Sequence, residues 1–457
     1  MHNVLMITTI FPPRNGVGAL RTLKFAKYLG FFMWKPIIIT PTVYLGRNEK
    51  PIIEKIPDRI IIYKTFWPTI NNSLEWFRIK VISAPQQKKD SDIKPVSCKL
   101  LEMARLFGKK VTKIIFRVEN NIKRYIFIDS YILWLPFALV KSLRIIKKEK
   151  IDVIYSTVPE FTSHIVGFCL KILTKKPWVA DYRDIWSGGL FHPAWIFPAK
   201  LAAKIEKFIL SRADAITVIS EPMAVILEGT VKDKPKKIFT ITNGFDPEDF
   251  SESPSSTGKN DKFTLVYTGT IYSYRYSLLE KFINALGALL ADMPDMKNKM
   301  VVKFIGEISL CKRDIDKLTS LMQKFDLHNT VSFEKQVSHK ESLQLQREAD
   351  ALLLLAHEGK DSKTVFTGKI FEYLASGRTI FAITPDNPAK DLIESANAGI
   401  VVKPGDPNEI KRSLLGLYQK WDNSTLSINP KREIIKEYDC RILTGRLAGV
   451  FNQIVIA

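Results

Sequence analysis

Short apolar runs alternate with helix-period stretches over most of this chain. Asn3–Thr9 is an apolar run of strand length, and the Pro/Gly-rich stretch Phe11–Gly18 follows it. Ala19–Leu29 then repeats its apolar positions with helical period, and Lys35–Thr40 is apolar again. This is a strand–helix–strand opening, the unit of parallel sheets. The pattern predicts further strands at Ile60–Lys64, Val153–Ser156, Trp178–Asp181 and Ala215–Ile219, and a helix at Pro198–Ser211. A strand at Phe239–Thr242 runs into the turn pair Asn243–Gly244. Pro247–Lys262, rich in Ser, Pro, Gly and Asp, interrupts the pattern and reads as an exposed linker. The alternation then restarts. Strands are predicted at Phe263–Thr268, Met300–Ile305, Val331–Phe333, Ala351–Leu355, Thr379–Ile383 and Ile400–Val402. The helices between and after them are Ser277–Ala291, Arg313–Phe325, Lys340–Ala349, Gly368–Ser376, Ala389–Ala396 and Asn408–Trp421.

The expected architecture is α/β: two doubly wound, Rossmann-like domains facing across a cleft. The first covers 1–245 with a basic insertion at 99–150. Residues 246–262 link it to a second domain, 263–420, and a helical segment, 421–457, is expected to pack back on the first domain. With 457 residues, 46% of them hydrophobic, the chain can bury two real cores, which excludes a disordered or fibrous protein.

Charge adds an asymmetry. The formal net charge is +21, and residues 1–235 hold 38 Lys and Arg against 19 Asp and Glu, whereas 236–420 hold 25 against 24. The first half should therefore meet something anionic: nucleic acid, acidic lipid or a phosphorylated small molecule. Within the insertion, Leu100, Met103, Ala104 and Phe107 fall at helical spacing among many basic residues, which predicts an amphipathic basic helix. The longest apolar run, Tyr125–Val140, contains Asp129 and Pro136 and is too short to span a bilayer, so a membrane would be met from the side. The alternative is a solvated basic face over an inward apolar stripe. Cys98, Cys169, Cys311 and Cys440 have neither metal-ligand nor redox spacing, and the N-terminus lacks the basic region and cleavage site of a signal peptide. Both features fit a reducing cytosol.

Three places could carry chemistry. In the first loop, Arg14, Gly16 and Gly18 precede a helix, where small residues let a backbone approach a phosphate; a tight strand–helix turn explains them equally. After the strand at 351–355, Thr367, Gly368 and Lys369 open a helix and suit a diphosphate, and Glu372, one turn in, could accept from ribose hydroxyls. The alternative there is a surface pair between Lys369 and Glu372. Arg183 and Asp184 follow a strand end, where they could hold an acceptor phosphate and orient a hydroxyl, or form a structural ion pair. His164 reads as ordinary packing. The strings Asp90–Asp92 and Asp314–Asp316 read as solvated charge rather than metal ligands.

Gly368–Arg378 resembles the signature of the group 1, family-4 retaining glycosyltransferases of GT-B fold. The Phe11–Gly18 loop, Ala213–Ser220 (ADAITVIS), Ile241–Asp246 (ITNGFD) and Val266–Gly269 resemble other segments of that family, in the same order. Ile128–Leu139 and Asp181–Trp186 (DYRDIW) are similar to a polysaccharide-biosynthesis branch. The resemblance implies a hexosyl transfer from a nucleotide diphosphate-sugar to a saccharide acceptor, lipid-linked, on the cytoplasmic side of an anionic membrane surface, without specific nucleic acid, metal or resident cofactor. By the same resemblance Glu372 matches the second acid of the family's paired-glutamate motif, and Thr364 stands where the first is expected. Gly269 and Thr270 open the second domain, with Thr270 and Arg275 at the positions of two phosphate-binding cations. Arg275, Lys369 and Asp184 become the catalytic candidates. A nucleotide-sugar 2-epimerase and a non-catalytic membrane-associated module on the same fold remain as alternatives.

Overall fold

The computed structural model describes residues 1–14, 17–42, 56–68, 128–187, 199–231, 237–251, 260–364 and 367–456. The expected helix at Leu100–Phe107, Gly16 and Asp90–Asp92 lie outside them. Packing divides the chain into two units. The first contains Met1–Thr217, Leu227–Phe239 and Val450–Ala457; the second contains Val218–Ile226 and Thr240–Gly449.

The first unit opens with β1 (His2–Ile7), α1 (Val17–Leu29), β2 (Trp34–Pro41) and β3 (Ile61–Thr65). It continues with α2 (Leu135–Lys148), β4 (Val153–Thr157), α3 (Thr162–Thr174), β5 (Trp178–Tyr182), α4 (Ala199–Leu210) and β6 (Ala215–Val218). After α5 (Glu221–Thr230), whose residues up to Ile226 belong to the second unit, comes β7 (Lys237–Thr240). The sheet runs β3-β2-β1-β4-β5-β6-β7. Its central strands are parallel and bury nearly every residue, so they read as continuous Val/Ile runs rather than alternating ones.

The second unit contains β8 (Phe263–Thr268), β9 (Ile271–Tyr272), α6 (Tyr276–Asp292), β10 (Met300–Ile305), β11 (Ile308–Ser309) and α7 (Lys312–Lys324). There follow β12 (Val331–Glu334), α8 (His339–Glu348), β13 (Ala351–Leu355), α9 (Lys369–Ser376), β14 (Thr379–Ile383), α10 (Pro388–Ser395), β15 (Gly399–Val402) and α11 (Pro407–Asp422). Then come α12 (Arg432–Lys436) and α13 (Cys440–Ile456), whose residues from Val450 onward belong to the first unit. Its main sheet is β12-β10-β8-β13-β14-β15, and β9 and β11 form a separate small ribbon. The core of this unit lies between β8, β10 and β13 and helices α6 and α11, with Phe263, Phe282, Phe304 and Trp421 at its centre.

Each sheet reverses its strand order once, between β1 and β4 and between β8 and β13. Such switch points open a crevice at the carboxyl ends of the strands, where ligands of doubly wound sheets bind. The loops that carry the candidate residues leave these four strands or their neighbour β5.

Three features depart from the sequence pattern. Helix α2 was hidden in the apolar run because its outward positions include Leu133, Phe137 and Val140, which blur the helical period. The β9/β11 ribbon has strands of two residues, too short for any periodicity. Asp314 is 4% exposed beside Arg313, so the reading of that acid as solvated charge is overturned. Helix α7 turns its first-turn acid inward, as an N-terminal anion favours. No described helix is long and apolar enough to cross a membrane.

Candidate active site

In the second unit, β8 delivers Gly269, Thr270 and Arg275, and the loop after β13 delivers Thr364, Thr367, Gly368 and Lys369. Gly269 has φ +110, and a Cβ there would lie 2.2 Å from Lys369 Cε. Glycine is thus required twice, for the backbone angle and for the lysine stem that crosses it. The phenol of Tyr267, on β8, organises the two cations. It accepts from Lys369 Nζ at 2.9 Å and from Arg275 Nη1 at 3.2 Å, and donates to the Thr270 carbonyl at 3.2 Å. Lys369 Nζ also lies 4.2 Å from the centre of the same ring. Burial pushes the Lys369 ammonium below the ordinary lysine value. Burial alone would raise the Tyr267 phenol, but Lys369 and Arg275 outweigh it and hold it below the ordinary value.

The buried Arg275 and the half-buried Lys369 thus share one phenol. Among the described residues neither forms an ion pair with a carboxylate, and Arg275 Nε has no hydrogen-bond partner. Gly368, before the first turn of α9, offers no side-chain cap to the helix N-terminus beside Lys369. The result is a concentration of positive charge and free N–H groups built to receive an anion.

Glu372 lies one turn further along α9. Its Oε2 accepts from Gln346 Nε2 at 3.3 Å, and its Oε1 is 3.9 Å from His339 Nδ1, with Asp249 on the other side of that imidazole. The carboxylate is therefore oriented from α8, and it forms no ion pair with Lys369 on its own helix. Glu358, the other acid near this loop, is tied to α6 by Lys281 at 2.7 Å and Ser277 at 3.2 Å. Thr364 is half-buried at the end of the turn that follows.

At the switch point of the first unit the arrangement is different. Gly18 makes room for Arg183: a Cβ at 18 would lie 1.9 Å from Arg183 Nη1. Arg183 Nε donates to the Val158 carbonyl. Burial lowers the Arg183 guanidinium and raises the Asp184 carboxyl, each opposing the other's shift by its charge. Arg14 donates to the Tyr131 hydroxyl, whose ring stacks on Trp67 at 4.1 Å. Arg21 is not a loop residue. It forms a buried pair with Asp181 at 2.9 Å, and that carboxylate also accepts from Thr157 at 2.8 Å and Thr217 at 2.7 Å. His164 is fully buried, bonded to Ser156 at 2.8 Å and held uncharged by burial, which pushes its pKa down to about 3. It is a packing residue.

Two residues escaped the sequence reading. Tyr267 carries no polar signal inside an apolar strand. Glu160, after β4, has burial and then the nearby Asp129 pushing its pKa up to about 8, while Arg14 and Arg183 oppose the rise. The folded chain therefore holds a proton on Glu160 that the unfolded chain releases near the ordinary glutamate value. That contribution to stability is complete below about pH 4.5 and is lost as pH rises through about 8. Glu160→Gln should accordingly flatten the fall in Tm between pH 5 and 9. Equal pH slopes for the variant and the wild type would show that Glu160 ionises normally.

Comparison with known proteins places the chain in a family. Residues 103–249 match the Glycosyltransferase Family 4 model, and residues 262–420 match the Glycosyl transferases group 1 model. The chain belongs to the group 1, family-4 glycosyltransferases. An uncharacterized glycosyltransferase of Methanocaldococcus jannaschii is 24% identical over 260 residues, 55% of this chain and 61% of that protein. The chain thus spans less than two thirds of this relative. Among solved structures, sucrose-phosphate synthase from Thermosynechococcus elongatus superposes with a TM-score of 0.62 at 15% identity, covering 99% of both chains. A glycosyltransferase from Rickettsia africae gives 0.60 at 14%, covering 99% of this chain and 98% of that one. A trehalose-6-phosphate structure from E. coli, bound with UDP-2-fluoro glucose, gives 0.61 at 11%, covering 99% of both chains. At these identities the likeness shows the fold, which is GT-B. In this glycosyltransferase Gly368 to Arg378 build α9 and its two anchored side chains, Lys369 and Glu372.

Proposed function

We propose that this glycosyltransferase moves a hexosyl group from a nucleotide diphosphate-sugar to a saccharide acceptor with retention, in cell-surface polysaccharide biosynthesis. The acceptor is lipid-linked and held at the cytoplasmic face of an anionic membrane. The observation that carries the donor half is the pair of cations, Arg275 and Lys369, joined through Tyr267 beside the open N-terminus of α9. In this reading they and the helix N-terminus take up the charge of the departing diphosphate, and Glu372 accepts from the ribose hydroxyls. The acceptor half rests on Arg183, Asp184 and Arg14 at the switch point of the first unit, and on the excess of basic residues before position 235.

The test is thermal stabilisation by UDP-, GDP-, ADP- and CMP-sugars, with Glu372→Ala in parallel. A ligand at a hundred times its Kd stabilises the native state by about 2.7 kcal/mol. One donor should raise the wild-type Tm, and Glu372→Ala should bind that donor about 10- to 100-fold more weakly, the loss of hydrogen bonds to a charged acceptor. A chain that no nucleotide sugar stabilises would be a non-catalytic module, and product release in the absence of any acceptor, with inversion at C2, would mark an epimerase.

A further inference from the structure

One helical layer of the first unit presents apolar side chains where solvent-facing positions are ordinarily polar. The connections through α2, α3 and α4 lead successively to β4, β5 and β6, always the same way across the sheet. Right-handed crossovers therefore place these three helices on one side. Along α2 and the turn before it, the outward positions Leu133, Phe137 and Val140 are 46%, 40% and 52% exposed, and Arg144 continues the same stripe. Ile172 on α3 and Phe208 on α4 are exposed as well, and Phe168 meets Phe208 at 5.7 Å, so the patch continues from helix to helix.

The charges on these helices are mostly of one sign, although Asp214 pairs with Lys171 and Glu149 with Lys148 at the helix ends. The three helices carry eight Lys and Arg and a single acid, Glu206. That acid is 1% exposed, turned inward to accept from Ser187 and the Trp186 N–H. A second copy would bring one predominantly cationic face against another, a juxtaposition that opposes association. A protein interface ordinarily places few lysines near its apolar centre. Apolar side chains ringed by cations complement a leaflet that is apolar inside and anionic at its surface. The stripe on α2 also begins two residues after Tyr131, the partner of Arg14, so its apolar end borders the candidate acceptor site.

We propose that the outer face of α2, α3 and α4 is the surface by which this protein docks on an anionic bilayer leaflet. The inference deepens the transferase reading and rests on it for its purpose, bringing a lipid-linked acceptor to the edge that holds Arg14 and Arg183.

The experiment is co-sedimentation with phosphatidylcholine vesicles, with and without phosphatidylglycerol. Three variants are compared with the wild type: the triple Phe137→Ser/Ile172→Ser/Phe208→Ser, the charge reversal Lys204→Glu/Lys207→Glu, and Phe31→Ser/Met33→Ser as an exposed apolar control away from the face. The wild type and the control should bind the anionic vesicles only. The triple should bind at least roughly tenfold more weakly, from the loss of inserted apolar area. The charge reversal should bind more than roughly 25-fold more weakly, since losing two cations costs about fivefold each and the two added anions repel the leaflet. All substituted side chains are exposed or at the surface, and unchanged Tm values confirm folding. Wild-type binding that is absent or indifferent to phosphatidylglycerol would overturn the proposal. So would a control that loses as much as the triple, or a dimer in lipid-free buffer that the triple dissociates. Donor-induced thermal shifts on the same samples separate the two readings. A donor shift without vesicle binding sinks the docking face alone, and vesicle binding without any donor shift sinks the transferase reading alone.

Discussion

Lys369→Met should lower kcat/KM for the donor by about 10²- to 10³-fold, the usual cost of removing one preorganised group that meets transition-state charge. Methionine keeps the length of the stem that crosses Gly269, so the φ of +110 and the close contact beneath it need not change. What disappears is one ammonium, held by Tyr267 and by no carboxylate among the described residues. The stability of the unliganded protein should move the other way. Burial already pushes the Lys369 ammonium down, which means the fold bears a cost for keeping it charged. The variant should therefore melt no lower than the wild type without ligand, and lose the donor-induced shift. Kinetics and two melting curves decide the matter. A variant that kept the wild-type donor affinity would remove Lys369 from the site, and one that melted much lower would make it a structural residue.

Asp181→Asn is the corresponding prediction for the first unit, and there the effect falls on stability. The variant leaves the buried Arg21 without its counter-charge, which costs about 3–5 kcal/mol. For a unit of this size the cost corresponds to a fall in Tm of about 10 °C. Burial alone would raise the Asp181 carboxyl, yet Arg21 and the two threonine hydroxyls bring its pKa down to about 2. Its stabilisation is present above the ordinary aspartate value and vanishes as pH falls through about 2, so the wild type and the variant should converge in acid. Arg21→Met/Asp181→Leu, which removes both charges, should recover most of the loss. A mild effect of Asp181→Asn alone would mean that the pair is dispensable.

These two residues also show what a sequence can disclose. The strands of both sheets were legible because buried parallel strands are unbroken apolar runs, and the candidate loop before α9 because Gly and Lys open a helix there. The buried pair of Arg21 and Asp181 was not legible, since nothing in a one-dimensional string pairs position 21 with position 181. Gly18 looked like a place for ligand backbone contact, and its space is taken by Arg183, which arrives from another strand end. Tyr267 was invisible because an aromatic residue within an apolar strand is ordinarily core. Only its hydroxyl, at the strand's last turn toward the crevice, distinguishes it, and that depends on where α6 and α9 begin. Glu372 was read as a candidate of the site from its place one turn into the helix, but the amide that orients it, Gln346, comes from a helix with no motif.

The end of α13 returns to the beginning of the chain. Phe451 packs against Trp34 at 5.2 Å and against Tyr155 at 5.9 Å, and the Trp34 indole donates to Asn452 at 2.9 Å. During synthesis, at about 5–20 residues per second, Trp34 emerges roughly 20–80 s before Asn452 does. The unit that is made first is thus completed last, and its tryptophan must wait, uncovered, through the translation of the entire second unit.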